Sequence, residues 1–83
     1  MKEEQRDYKI DFDMFNTLEI VKIIEFFKLV ESTKTKKVSP NVLVMKYREY
    51  QKILSNKSLE KKYDKMLQER SNVSIYHTIK PYL

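Results

Sequence analysis

Asn16-Thr17-Leu18-Glu19-Ile20-Val21-Lys22-Ile23-Ile24-Glu25-Phe26-Phe27-Lys28-Leu29-Val30-Glu31 decides what kind of molecule this chain makes. Asn16 can accept from the backbone of a first helical turn while Glu19, three residues on, reaches back to the cap, and Phe15 is placed to pack on Ile20 as a hydrophobic staple. Ile20, Ile23, Ile24, Phe27 and Val30 recur at helical spacing, and Val21, Phe26 and Leu29 widen the apolar face until Lys22, Glu25, Lys28 and Glu31 are the polar remainder. A helix of that pattern is expected at the centre of the domain, buried on most sides. Its apolar run, Leu18 to Val30, is broken by Glu19, Lys22, Glu25 and Lys28 and falls short of the roughly 20 residues that span a bilayer, so no membrane anchor is expected.

Working outward, Ser32-Thr33-Lys34-Thr35-Lys36-Lys37 reads as a polar connector, and Val38-Ser39-Pro40 supplies a staple residue, a cap and a proline at the first helical position. The second helix is predicted to run to about Leu54. Its inner face is Leu43, Tyr47, Tyr50 and Leu54, with Val44 and Ile53 beside it, and its tyrosines should pack their rings inward and keep their hydroxyls wet. Ser55-Asn56-Lys57 is a tight break before a third helix with Leu59, Tyr63, Met66, Leu67 and Arg70 on one face, ending near Glu69. Asn72 suits the left-handed conformation that glycine usually supplies past a helix end. Ser74 caps a short fourth helix carrying Ile75, Tyr76 and Ile79, which Pro81 stops. Ahead of Asn16, residues 1–15 form an irregular lead, frayed at its tip, with Tyr8, Ile10, Phe12 and Phe15 available to lie across a groove between helices.

No strand-like alternation appears, and the 83 residues contain no glycine. Tight hairpins and phosphate-cradling loops need backbone angles that glycine adopts cheaply, so the chain disfavours both. The predicted fold is all-α: one domain over residues 1–83, a small helical bundle of three longer helices plus a short C-terminal fourth. A hydrophobic fraction of 41% with ten aromatics supports folding. A domain this small buries only about 60 to 65% of its unfolded surface. With no cysteine, neither a disulfide nor a thiolate metal site exists to help it.

The charged opening Met1-Lys2-Glu3-Glu4-Gln5-Arg6 is no secretory signal, and a cytoplasmic location is expected. Asn56-Lys57-Ser58 and Asn72-Val73-Ser74 match the glycosylation sequon but read better as helix caps. The net charge of +5 is uneven. Residues 1–33 hold eight acids and five bases, for −3, and residues 34–83 hold four acids and twelve bases, for +8. Such a basic half suits an acidic partner or nucleic acid, or simply a lysine-rich solvated face.

Taken in order, Tyr8 and Asp11, Glu19 to Val21, Phe26-Phe27, Val30-Glu31, Tyr47-Arg48, Ile53, Lys57, Glu60-Lys61, Asp64-Lys65, Ser71 and Ser74-Ile75-Tyr76 resemble the uncharacterised protein family (UPF) 0223, small cytosolic proteins of low-GC Gram-positive bacteria. The pattern departs from the family at Lys9, where a proline is usual, at Phe15 or Met14 for a tryptophan, at Ser55 for a proline, at Lys37 and Asn72 for glycines, and at Pro81, which shortens the last helix. The resemblance implies an all-α fold and a cytoplasmic home, and it carries no activity across.

Read for chemistry, the residues favour binding over catalysis. His77 is the one histidine, and without cysteine it has no partners for a zinc site. Asp7, Asp11 and Asp13 could offer oxygen ligands to calcium, but they lack the glycine and terminal glutamate of an EF-hand loop. Ser39, Ser55, Ser71 and Ser74 make sense as caps, no serine follows a strand-to-helix elbow, and no histidine is placed to activate one. No enzyme activity, metal or cofactor is expected. Helix two, the break and helix three could imitate a helix-turn-helix, with Lys57, Ser58, Lys61 and Lys65 toward phosphates, but Glu60, Asp64 and Glu69 interleave with them and arginine is scarce. The expected function is therefore a protein-interaction or adaptor module with an unknown protein partner. Its candidate surface is Lys57, Lys61, Lys65, Tyr76 and His77. Weak electrostatic nucleic-acid binding through the basic second half is the alternative, and a homo-oligomer stays open because periodicity does not show what covers helix one.

Overall fold

Helix α1, Thr17–Ser32, starts where its signals place it. Asn16 Oδ1 accepts from Glu19 N at 2.8 Å and Glu19 Oε1 accepts from Asn16 N at 3.0 Å, a reciprocal capping box. The chain continues through α2, Pro40–Leu54, α3, Lys57–Ser71, and a short α4, Ile75–Ile79, which passes into a 3-10 turn, Lys80–Tyr82. This computed structural model describes Tyr8 and residues 10–83, and the expected fray at the tip of the lead lies outside them. Among the described residues there is no strand, and the architecture is the all-α bundle of three longer helices and a short fourth.

Ile23, Phe26, Phe27 and Val30 of α1 are buried against Leu43, Tyr47, Tyr50 and Leu54 of α2, which are the four inner positions expected there. Aromatic rings make the centre. Phe26 stacks on Tyr50 with centroids 4.6 Å apart, and Phe27 meets Tyr63 edge-on at 5.9 Å and Tyr8 at 5.3 Å. Helix α3 closes the bundle with Leu59, Tyr63 and Leu67, and α4 adds Ile75 and Ile79.

Four expectations are corrected. Helix α1 is buried on one side only, because Leu18 is 65% and Val21 45% exposed; both lie about half a turn from Ile23 and Phe27, and the other helices pack against that inner face alone. Ser39 stands at the N-cap of α2 without a side-chain cap bond, so Pro40 and the Leu43 N to Ser39 O bond of 3.1 Å mark that end. Helix α3 runs past Glu69 to Ser71. In the lead, Tyr8 and Ile10 are buried but Phe12 is half exposed, because a 3-10 turn over Phe12–Met14 swings it outward.

Polar ties hold the lead down. The half-buried Glu31 carboxylate accepts from Tyr8 Oη at 2.7 Å, from Arg70 Nε at 3.0 Å and from Ser71 Oγ. The Arg70 guanidinium lies 4.5 Å from the Tyr8 ring centroid. Burial alone would raise the Glu31 pKa, but the bonds from Ser71, Tyr8 and Arg70, together with the Arg70 charge, outweigh it and hold the carboxyl below its ordinary value. Nearby, Tyr63 Oη accepts from Asp11 N and donates to Asp11 Oδ2, while Lys62 Nζ pairs with the same carboxylate at 3.0 Å.

Candidate functional site

The sequence of α2 places Tyr47, Tyr50 and Gln51 on one flank at helical spacing, and α3 places Lys57, Glu60, Lys61 and Asp64 on the flank that faces it. Between these two flanks, closed at one end by Ile75 and Tyr76 of α4, is a cleft of about 380 Å³ lined by those nine residues. That volume sits at the lower end of the range for ligand pockets, roughly 300 to 1,000 Å³. The break at Ser55-Asn56 makes the cleft. Ser55 takes a left-handed conformation, φ 45°, and Asn56 Oδ1 accepts from Ser58 N and Leu59 N, so α3 restarts immediately beside α2.

Asp64 fixes the far wall. One carboxylate oxygen accepts from Ile75 N at 2.8 Å, and the Ser74 hydroxyl, whose oxygen accepts from His77 N, stands 3.4 Å from the other. These contacts seat α4 against α3 and set Tyr76 at the lip, half exposed, with Lys80 Nζ 5.7 Å from its ring centroid. Among the expected site residues, Lys57, Lys61 and Tyr76 therefore meet in one cleft. Lys65 is exposed outside its lining, and His77 faces a separate shallow hollow with Gln68, Asn72 and Ser74. These two do not join the group.

The interior of the cleft holds residues that the sequence reading did not select. Tyr47 and Tyr50 are 8% and 2% exposed, Ile75 is buried, and Glu60, Asp64 and Gln51 are half buried. Tyr47 Oη accepts from Gln51 Nε2 at 3.1 Å. Tyr50 Oη is buried with no hydrogen-bond partner among the described residues, which corrects, for Tyr50, the expectation that the hydroxyl stays wet; the aromatic packing against Phe26 and Phe27 draws the whole side chain under the surface. Burial raises the Tyr47 and Tyr50 pKa values, and the Glu60 and Asp64 carboxylates add to both shifts. The available signal was the joint stripe Tyr47, Tyr50, Gln51 and Lys57, Glu60, Lys61, Asp64, two helical faces separated by one break.

Asp11, one of the carboxylates considered for calcium, is engaged by Lys62 and Tyr63, and Asp7 lies outside the described residues. Among the described residues no helix is long and apolar enough to cross a membrane.

Several residues that carry the family resemblance have structural work: Tyr8, Glu31 and Ser71 tie the lead, Asp11 holds Tyr63, and Asp64 with Ser74 seats α4. Tyr47, Lys57, Glu60, Lys61 and Tyr76, from the same set, line the cleft. The chain is 36% identical over 72 residues to a UPF0223 protein of Bacillus cytotoxicus, covering 87% of this chain and 80% of that one. It is 36% identical over 73 residues to one of Oceanobacillus iheyensis, with 88% and 82% covered, and 34% identical to one of Staphylococcus saprophyticus, with 88% and 78% covered. No solved structure matches it. Residues 5–82 match the family model as well, and the chain belongs to the uncharacterised protein family UPF0223.

Proposed function

We propose that the protein is a non-enzymatic interaction module of the bacterial cytoplasm that holds a segment of a protein partner in the cleft between α2, α3 and α4. The observation that carries this reading is the cleft's make-up: a floor of Tyr47, Tyr50 and Ile75 beneath a lip where the Tyr76 ring stands half exposed. Tyrosine supplies a large contact area at low conformational cost, and buried aromatic pockets are where interface energy concentrates. Nucleic-acid binding is the competing reading. Lys57 and Lys61 supply positive charge, but Glu60 and Asp64 stand in the same stripe, and a phosphate track does not suit that alternation.

The test is site-specific photo-crosslinking in living cells, with the crosslinker placed at Tyr76 in one strain and at Lys28, exposed on α1 and outside the cleft lining, in another. A discrete protein adduct from Tyr76, absent from Lys28 and unaffected by nuclease, is the expected result. Adducts that are equal from both positions, or that vanish with nuclease, overturn the module reading. Salt gives a second readout: phosphate-driven binding falls steeply between roughly 50 and 200 mM salt, whereas docking on an aromatic floor should fall far less.

A further inference from the structure

Resting on the module reading, we infer that the partner segment inserts a cationic side chain, an arginine or a lysine, between the tyrosines and the Glu60 carboxylate of this cleft. Three observations converge. Tyr47, Tyr50 and Tyr76 line one small volume, and tyrosine faces attract cations through the ring quadrupole. Glu60 is half buried in the same wall, and among the described residues neither an ion pair nor a hydrogen bond engages its side chain. Tyr50, 2% exposed, lines the same volume, and its buried hydroxyl has no partner among the described residues. A phenol oxygen has lone pairs for an N–H donor, and a guanidinium has five such donors in a fixed fork.

Tyr50 shares the lining of the cleft with the Glu60 and Asp64 carboxylates. Its ring stacks on Phe26, and burial first, then the Glu60 and Asp64 carboxylates of the cleft wall, raise its pKa. The lysines do not contradict this. Lys57 and Lys61 are exposed, whereas Glu60 and Asp64 are half buried, so the sign inside differs from the sign at the lip. Long stems carry the ammonium groups outward. The lip then favours acidic flanks on a segment whose central residue is basic.

The probes are N-acetylarginine amide, N-acetylglutamate amide and choline chloride, each titrated through roughly the millimolar range against the full chain while tyrosine ring resonances are followed by NMR. The arginine probe should shift Tyr47 and Tyr76 saturably. E60Q should weaken that binding about fivefold, and Y50F should weaken it while raising thermal stability. Neither variant removes an intramolecular bond of the described residues, so folding is preserved. A K57Q/K61Q variant should bind the arginine probe at least as well as wild type.

A response to the glutamate probe alone, lost in K57Q/K61Q, would make the cleft an anion site and overturn the inference. Choline binding as tightly as arginine would make it a small-amine site, and no shift with any probe would mean that no cation enters. Crosslinking from Tyr76 separates the two proposals. If the E60Q protein still crosslinks its partner as wild type does, the module stands and cation insertion falls; if wild type gives no specific adduct, the module itself falls.

Discussion

Tyr50 and Tyr63 are the same residue type at nearly the same burial, yet their hydroxyls have opposite fates. Tyr63 Oη accepts from Asp11 N and donates to Asp11 Oδ2, and burial first, then the Asp11 carboxylate, push it up to about 12. Tyr50 Oη has no such partner among the described residues. A buried unsatisfied polar group costs about 1 to 3 kcal/mol. Tyr50→Phe, which keeps the ring on Phe26, should therefore stabilise the free protein by about 1 kcal/mol, read as a higher urea midpoint at unchanged m-value. An unchanged or lower midpoint would mean that the hydroxyl is satisfied in solution. Tyr47 and Tyr50 were legible as inner-face residues of α2, because their spacing is local. The missing partner of Tyr50 was not, because it depends on what α3 and α4 bring opposite.

At the scale of elements, the helix ends show how a chain without glycine turns. Among the described residues, both with positive φ sit just past a helix: Ser55 at φ 45° after α2 and Asn72 at φ 59° after α3. Asparagine visits this region with little strain, whereas serine does so less readily. Ser55→Gly should accordingly stabilise the protein by about 0.5 kcal/mol after the entropy of glycine in the unfolded chain is counted, and Asn72→Gly should change it by less. Thermal melts of the two variants check the ranking, and equal effects would contradict the strain argument. The caps at Asn16, Asn56 and Ser74 were readable because a cap acts over three residues. Ser39 misled because its position is right while its hydroxyl caps nothing.

Across the whole molecule, the lead is held by carboxylates whose pKa values lie below their ordinary ones, Glu31 through its three donors and Asp11 through Lys62 first and Tyr63 second. A group depressed in the folded state contributes stability that is fully present above its unfolded value, here the ordinary carboxylate range near pH 4, and that is lost as pH falls through the folded value. The urea midpoint should thus be level near neutrality and fall below about pH 4. Glu31→Gln should lower the midpoint at pH 7, equivalent to about 1 to 2 kcal/mol of unfolding free energy, and flatten the acid limb. A variant with the wild-type acid limb would show that Glu31 does not anchor the lead. Sequence by itself determined the helices, their order, their inner stripes and most of their caps, because periodicity and capping act within one turn of backbone. It also pointed to Lys57, Lys61 and Tyr76. Tertiary structure alone decided that Leu18 and Val21 face solvent, that Glu31 gathers Tyr8, Arg70 and Ser71, that His77 and Lys65 stay apart, and that Glu60 shares a cleft with Tyr47, Tyr50 and Tyr76. Those facts depend on which faces three helices turn toward one another, and packing of side chains distant in the chain sets that.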